Sequence, residues 1–270
     1  MDNKTLTNYH THTSYCDGKN TPEEIVLSAI EKGLSAIGFS GHGYTPFDLC
    51  YCMKETPSYI QEISKLKRKY GDKIEIYCGV EEDAFSPVQR ENFDYIIGSS
   101  HYFNIDGQYY PIDSDYEGFK KCLEAFDNDA SKLAEVYYST FVSYITERKP
   151  DIVGHFDLIT KYDEVDEQRF LNNSEYLKIA KKYLQKAAEN DVIFEVNTGA
   201  ISRGIRKTPY LGEELLYILK EKGSKVMLSS DSHSVDTLDF YFEEAKKLLR
   251  DVGFDHVYEL HQGTFKKRLI

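Results

Sequence analysis

Two histidines stand one residue apart near the start of the chain, in the stretch NYHTHTSYCDG at residues 8–18. The chain has just eight histidines in 270 residues, and His10 and His12 are two of them. Asp231 and His233 repeat the same spacing in the stretch SSDSH. Residues i and i+2 of a β-strand point to the same side, so each pair can face one volume. Imidazole and carboxylate together suit zinc, iron or manganese, and the spacing predicts two ligands from each pair.

Histidines and acids recur where predicted strands end. Glu81 ends the third predicted strand, and Glu195 and Asn197 end the sixth. Taken singly, a strand-end histidine is more often a hydrogen-bonded loop residue, Glu81 could cap a helix and Asp17 is a good turn residue. The joint arrangement favours a polynuclear metal site. Six of the eight histidines occupy such positions: His10, His12, His42, His101, His155 and His233.

The elements that must position these residues alternate along the chain. Short apolar segments are followed by amphipathic ones, the first of which has Thr21 as its N-cap and Pro22 in its first turn. This alternation indicates a parallel α/β architecture, and without a Gly-rich phosphate-binding turn after the first strand it favours a closed barrel, in one domain over residues 1–270. In a β/α barrel, the carboxyl ends of all strands face one mouth. Residues 102–130 predict a long β/α loop. The predicted strands are residues 6–12, 34–42, 74–81, 93–101, 151–157, 191–197 and 224–233.

Composition excludes several classes of function. The net charge of −12 argues against a nucleic-acid backbone or an anionic membrane as the main partner. The five cysteines are odd in number and lack a framework spacing, which predicts reduced thiols in a cytoplasmic protein. The first residues contain no apolar signal core, and no apolar run approaches a membrane span, so we expect neither secretion nor membrane insertion. The oligomeric state is left open.

The ordered motifs resemble those of the polymerase-and-histidinol-phosphatase (PHP) superfamily. They run from about Tyr9 to His233 as NYHTHTSYCDG, FSGH, GVEED, GSSH, VGHFD, EVN and SSDSH. The resemblance implies a distorted, TIM-like (β/α)7 barrel that holds two or three divalent transition-metal ions, zinc, iron or manganese. Many members have a histidine where this chain has Asp17, which is a harder ligand.

The same resemblance implies how the ligands are shared. One metal would be held by His10, His12, Glu81 and Asp231. A second would be held by Glu81, His101 and His155, with Glu81 bridging the two ions. A third would be held by Asp17, His42 and His233.

Within the superfamily the chain resembles the histidinol-phosphate phosphatases, in its single-domain length and in the stretches GSSHYFNIDGQYYPID and FEVNTGAISRGIRK. This implies hydrolysis of the small phosphate ester L-histidinol phosphate in histidine biosynthesis, by attack of a metal-bridging hydroxide. Glu81, Asp231 and His233 would carry the chemistry. Two alternatives stay open: a PHP phosphoesterase acting on a nucleotide or sugar phosphate, and a non-enzymatic metal-binding protein.

Positive residues near the mouth are candidates for binding the phosphate. Arg203 and Arg206 follow the sixth predicted strand, and Arg206 has the better claim because Gly204 lets the backbone bend inward. Lys161 is a second candidate, although an exposed lysine at a helix start is an equally good interpretation. Asn197 is a further expected substrate-binding residue. Asp157 and Glu195 are candidates for the ammonium group of histidinol, and Glu195 could equally orient a ligand histidine.

Overall fold

The computed structural model describes residues 6–165 and 169–270. Within these ranges the strands are β1 (Leu6–Asn8), β2 (Leu34–Phe39), β3 (Glu75–Asp83), β4 (Tyr95–Ser99), β5 (Tyr102–Ile105), β6 (Gln108–Pro111), β7 (Ile152–Val153), β8 (Ile193–Asn197), β9 (Lys225–Ser229), β10 (His256–His261) and β11 (Thr264–Leu269). The helices are α1 (Pro22–Glu31), α2 (Thr56–Tyr70), α3 (Tyr116–Glu124), α4 (Ala130–Arg148), α5 (Ser174–Ala187), α6 (Gly199–Ser202), α7 (Glu213–Lys222) and α8 (Phe242–Val252).

Seven of the described strands form one parallel sheet in the order β1-β2-β3-β4-β7-β8-β9. The first and last strands meet only at their carboxyl ends, where Thr11 and Ser232 form a parallel bridge. His12 N donates to Ser232 O at 2.8 Å, and Ser232 N donates to His10 O at 3.1 Å. The sheet is therefore a nearly closed barrel, which confirms the predicted distorted (β/α)7, TIM-like fold. The extent of a single domain over residues 1–270 stays a prediction.

The helices begin where local chemistry favours them. Thr21 caps α1 by accepting a hydrogen bond from Glu24 N, and Glu24 in turn accepts from Thr21 N, which is a complete capping box. Asp129 and Asn173 cap α4 and α5 in a similar way. The apolar faces of α4 and α5 pack together against the outside of the barrel. Among the described helices, none is long and apolar enough to cross a membrane.

Tyrosines and a hairpin fill the amino end of the barrel. The rings of Tyr9 and Tyr95 pack edge to face at 6.2 Å. Tyr9 donates its hydroxyl to Leu260 O in β10 at 2.7 Å, and Tyr95 donates to Tyr9 O at 2.5 Å. A side chain at Gly79 would overlap the Tyr95 ring, so close packing explains that glycine. The β10–β11 hairpin thus covers this end, a feature that the sequence analysis did not predict.

The segment after β4 has more structure than predicted. Residues 102–130 lie between two strands of the barrel, as expected of a long connection, but they form the antiparallel hairpin β5–β6 and the helix α3. Asp115 caps α3 by accepting a hydrogen bond from Gly118 N at 2.6 Å. The hairpin leans on the preceding β2–α2 loop, where Phe47 and Tyr109 stack with ring centroids 3.7 Å apart. These two segments form a wall above the barrel mouth.

Candidate metal centre and active-site cavity

Most of the predicted ligands lie just beyond the strands rather than inside them. β1 ends at Asn8 and β9 at Ser229, so His10 and Asp231 each follow their strand by two residues. Only Glu81 of the predicted ligands lies within a strand of the described chain, two residues before the carboxyl end of β3. Five of the seven predicted strands were therefore too long at their carboxyl ends, whereas the sixth ends where β8 ends and the third stops two residues before the end of β3. The ligand segments still continue toward the mouth.

The Glu81 carboxylate lies at the centre of the cluster and directs one oxygen toward each of two pairs of imidazoles. Its Oε1 is 3.0 Å from His155 Nε2 and 3.2 Å from His101 Nε2. Its Oε2 is 3.3 Å from His10 Nε2 and 3.5 Å from His12 Nε2. Glu81 can thus offer an oxygen to each of two ions.

Asp231 lies beside the imidazoles of His10 and His12. Its Oδ1 is 3.2 Å from His12 Nε2 and 3.6 Å from His10 Nε2. Its backbone has φ of 47°, a left-handed conformation that aspartate tolerates better than most residues. The bend after β9 therefore brings both Asp231 and His233 over the mouth.

A third group of donors surrounds Asp17. One carboxylate oxygen is 3.4 Å from His12 Nδ1, and the other is 3.2 Å from His233 Nε2 and 3.7 Å from His42 Nε2. His42 also faces Glu81, with its Nδ1 at 2.9 Å from Glu81 Oε2. The donors around Asp17 are therefore continuous with those around Glu81.

The residues present fit divalent metal ions. In every one of four groups drawn from the nine predicted ligands, the donor atoms lie within 4.8 Å of one another. Ligand atoms of a tetrahedral zinc site are about 3.4 Å apart, since each lies about 2.1 Å from the ion. His10 Nε2 and His12 Nε2 are buried without a hydrogen-bond partner in the described residues, and Glu81 Oε2 lacks a well-aligned one, although His42 Nδ1 lies 2.9 Å away. Buried groups of this kind are normally satisfied, and a metal ion would satisfy all three.

Electrostatics supports the same interpretation. Burial raises the pKa of the Glu81 carboxyl, but the imidazoles of His10, His42 and His101 outweigh burial and hold that pKa well below its usual range. Burial lowers the pKa of His42, but Glu81 and Asp17 outweigh it and raise the pKa to about 9. Without metal, protons on the imidazoles therefore balance the buried carboxylates, and bound cations can take their place.

Two acids orient ligand histidines from behind. Glu195 Oε1 lies 2.6 Å from His10 Nδ1, and its Oε2 accepts a hydrogen bond from His155 N at 2.9 Å. Asp83 Oδ2 accepts from His101 N at 2.9 Å and lies 3.3 Å from His101 Nδ1. A carboxylate on one ring nitrogen leaves the other free for a metal. Of the two interpretations of Glu195, the structure favours the histidine partner over the ammonium ligand.

A cavity of about 380 Å³ opens above the cluster. Its wall outside the predicted ligands includes Asp48, Tyr51, Tyr102, Asp113, Lys161 and Arg203. Lys161 is mostly buried, with its ammonium group bonded to Asp113 O and 3.7 Å from Asp113 Oδ2, so it is not an exposed helix-start lysine. Arg203 Nη2 donates to Asp231 Oδ2 at 3.0 Å, and its Nη1 lies 3.3 Å from His233 Nδ1.

The other predicted substrate residues lie beneath the cavity. Arg206 is buried, bonds Thr160 Oγ1, and has its guanidinium carbon 4.5 Å from the centre of the Tyr210 ring. The preference for Arg206 over Arg203 is therefore not supported, because the turn at Gly204 directs its side chain into the protein. Asn197 also stays below the cavity: its amide donates to Glu195 Oε2 at 2.9 Å and accepts from Gly199 N at 2.8 Å.

Asp157 differs from its prediction in the same way. Its Oδ2 accepts a hydrogen bond from Gly212 N at 3.1 Å. Burial raises the pKa of its carboxyl despite the nearby Arg206, and it lies outside the lining of the cavity. An ammonium group in the cavity would therefore need a different acid.

Sequence reasoning did not single out several polar residues of the site, among them Asp48, Tyr51, Asp83 and Asp113. Asp83 carries a usable signal, since it lies two residues after Glu81 on the same strand and so faces the same side. Asp113 follows the hairpin strand β6, and Asp48 and Tyr51 lie in the β2–α2 loop. No periodicity predicts which loop residues turn inward.

The barrel and its clustered imidazoles and carboxylates define the class of metal-dependent enzymes that gather their ligands at the carboxyl ends of parallel strands. Residues 8–199 match the PHP domain family, which is more than half of the chain. The protein belongs to that family.

Curated relatives carry consistent names. The chain is 28% identical to a Schizosaccharomyces pombe protein named "Probable histidinol-phosphatase", over 94% of this chain and 89% of the relative. It is 25% identical to the histidinol-phosphatase of Bacillus subtilis, over 87% of this chain and 96% of that protein. These relatives match over nearly their whole length.

A solved structure shares the fold. The histidinol phosphate phosphatase of Lactococcus lactis, determined with zinc, L-histidinol and phosphate, superposes with a TM-score of 0.74 at 23% identity. The match covers 97% of this chain and 98% of that one.

Proposed function

We propose that the protein is a metal-dependent phosphomonoesterase that hydrolyses L-histidinol phosphate to L-histidinol and phosphate. The observation that carries the proposal is the Glu81 carboxylate, which is buried between two pairs of imidazoles with one oxygen toward each. The names of the relatives support the choice of substrate. A cytoplasmic location remains a prediction.

The chemistry needed is charge neutralisation and a nucleophile at neutral pH. A phosphate monoester is a dianion, and a chain with a net charge of −12 would repel it without local positive charge. Divalent ions, when bound, supply both that charge and a water of lowered pKa. We propose that His10, His12, Glu81 and Asp231 hold one ion, that Glu81, His101 and His155 hold another, and that Asp17, His42 and His233 hold a third.

The remaining positive side chains of the cavity can orient the phosphoryl group. Arg203 lines the cavity and shares Asp231 with the cluster, so it can contact a phosphate oxygen while holding that carboxylate. Lys161 adds a point charge on another part of the wall, fixed by Asp113. We propose that these two residues replace Arg206 as phosphate ligands.

A substrate panel tests the proposal. Protein reconstituted with zinc, manganese or iron is assayed on L-histidinol phosphate, nucleoside monophosphates and sugar phosphates, with chelator-treated protein as the control. We expect the highest efficiency on L-histidinol phosphate, by at least roughly tenfold, or about 1.4 kcal/mol in transition-state binding. A higher efficiency on a nucleotide or a sugar phosphate would contradict the proposed substrate but would agree with a phosphoesterase activity. If the metal-loaded protein is inactive on every ester, the proposal that it is a phosphomonoesterase is wrong.

A further inference from the structure

Asp48 and Tyr51, in the β2–α2 loop beyond His42, line a part of the cavity wall that contains none of the proposed metal ligands. The Tyr51 ring is half-buried, 4.6 Å from the His42 ring and 6.1 Å from the Tyr102 ring. Its hydroxyl lies 3.2 Å from Thr45 Oγ1 and donates to it. Tyr51 is therefore fixed beside the metal ligands with part of its ring toward the cavity.

Asp48 lies next to this aromatic wall and is held in place from two sides. Its Oδ2 accepts a hydrogen bond from the Tyr102 hydroxyl at 2.8 Å, and its Oδ1 accepts from Cys50 N at 3.0 Å. Each carboxylate oxygen has a further lone pair. The carboxylate is therefore rigid and can still accept a hydrogen bond from a ligand in the cavity.

Asp48 forms no ion pair with a residue of the described chain, although Lys161 and Arg203 line the same cavity. No lysine, arginine or histidine in residues 6–165 and 169–270 lies within ion-pair distance of it. Asp113, the other acid of the wall, differs because it is paired with Lys161. Asp48 thus presents an unmatched negative charge beside aromatic rings, an environment that attracts an organic cation.

We propose that Asp48 binds the ammonium group of the substrate and that the Tyr51 ring packs against its flat heterocycle. The inference rests on the proposed function and explains how the site selects its ester. An amine next to the phosphoester carbon finds a partner in Asp48, whereas a sugar or nucleotide leaves that carboxylate desolvated and unpaired. Selectivity then comes from this loop and not from the metal cluster.

Asp48→Asn tests the ammonium contact. The amide oxygen can still accept from Cys50 N, so the loop is expected to keep its shape. The measurement is the ratio of catalytic efficiencies on L-histidinol phosphate and on the analogue that has hydrogen in place of the amine. For the parent protein we expect a strong preference for the amine, and in Asp48→Asn we expect this ratio to fall roughly tenfold, as for loss of a charged hydrogen bond.

Asp127→Asn is the matched control. Asp127 is an exposed aspartate at a positive φ that asparagine also tolerates, and its side chain is 94% exposed. The ratio should not change in this variant. An unchanged ratio in Asp48→Asn, with an active parent, would overturn the role of Asp48 and leave the proposed function intact.

Calorimetry with L-histidinol separates the two proposals, because it needs no turnover. Binding to the metal-loaded parent that weakens roughly tenfold in Asp48→Asn supports the subsite even if the ester is not hydrolysed. Equal binding by both proteins, or none by the parent, overturns it. A parent inactive on the ester overturns the proposed function alone.

Tyr51→Phe and Tyr51→Leu test the ring. Phenylalanine keeps the aromatic face, and leucine removes it, so only the leucine variant should raise KM for L-histidinol phosphate severalfold relative to the phosphate of 2-aminopropanol, which has no ring. Metal content is measured in both variants, because Tyr51 contacts His42. Equal KM ratios in the two variants would contradict packing of the heterocycle on Tyr51.

Discussion

The two ends of the barrel treat buried polar groups differently, although the same strands form both. At the amino end, the hydroxyls of Tyr9 and Tyr95 donate to backbone carbonyls at 2.7 and 2.5 Å. At the carboxyl end, His10, His12 and Glu81 each bury an atom without a well-aligned hydrogen-bond partner in the described residues. Each such atom costs about 1–3 kcal/mol. The amino end therefore stabilises the fold, whereas the carboxyl end is incomplete without a ligand.

The same contrast separates neighbouring residues. Glu81 and Glu82 are adjacent in β3 and point to opposite sides of the strand. Glu81 faces the imidazoles, whereas Glu82 accepts hydrogen bonds from Tyr144 at 2.7 Å and from Arg148 Nε at 2.9 Å. Two glutamates of equal burial thus have different tasks, and substitutions at both can distinguish site from scaffold.

The largest effect is expected for Glu81→Gln. The amide cannot serve two ions as a carboxylate does, so activity should fall by more than roughly 100-fold, beyond the loss typical for a residue that only supports a ligand. Metal content by elemental analysis should fall as well, while circular dichroism stays unchanged. Glu82→Gln is the control: it should lose about 2 kcal/mol of stability, from weaker bonds to Arg148, and keep its metal. Near-normal turnover in Glu81→Gln would make Glu81 a structural residue.

The next effect concerns the two arginines of the β8–α7 connection. Arg203→Ala should reduce catalytic efficiency by about 10- to 150-fold, the equivalent of about 1.5–3 kcal/mol, and Arg203→Lys should recover part of it. Arg206→Ala should instead lower the melting temperature, since Arg206 stacks on buried Tyr210, with efficiency per folded molecule within a few-fold of the parent. If Arg206→Ala loses efficiency and Arg203→Ala loses only stability, then Arg206 and not Arg203 reaches the substrate. If neither variant loses efficiency, Lys161 is the residue to test.

The number of protons released when metal binds tests whether the histidines at the carboxyl end are protonated without metal. Carboxylates raise the pKa of His42 to about 9 and hold the pKa of His10 and His101 well above their usual value, although burial lowers all three. Metal binding requires neutral imidazoles, so adding zinc to metal-free protein at pH 7.5 should release more than one proton per chain.

The direction of the His42 pKa shift determines how proton release on zinc binding depends on pH. The folded-state pKa of His42 is raised above the ordinary value, so its stabilising proton is fully bound below about pH 6.5 and is lost as the pH rises through about 9. The number of protons released should therefore decrease toward zero above pH 9. Calorimetry in buffers of different ionisation enthalpy gives that number, and a value independent of pH would rule out the linkage.

The smallest effect is expected at the amino end. Tyr9→Phe removes the hydrogen bond to Leu260 O, which should cost about 1 kcal/mol of unfolding free energy. Activity and metal content should not change, since the hydroxyl lies at the opposite end from Glu81. Chemical denaturation gives the stability, and a loss of metal in this variant would mean that the two ends are coupled.

Much of the fold and of the metal centre could be predicted because strand and helix patterns are local. The alternation of segments predicted the barrel, and a histidine or acid after each strand predicted which residues meet at its mouth. His10 and His12 illustrate the reason: the barrel topology brings all strand ends together, whatever the details of the loops. Five of the seven predicted strands were too long at the carboxyl end, because an extended ligand segment and a paired strand have the same residue pattern.

The sequence by itself thus determined the order of the barrel's strands, which depends on chain periodicity, and its ordered motifs, through their resemblance to a known family, indicated the nine candidate ligands. Only the tertiary structure decided which long side chains reach the cavity. Arg203 and Arg206 lie three residues apart in one connection, yet one meets Asp231 and the other Tyr210. The path of an irregular loop depends on what it packs against, and the directions of Asp48, Tyr51 and Lys161 depend on it too. For that reason the substrate side of the cavity emerged only with the packed chain.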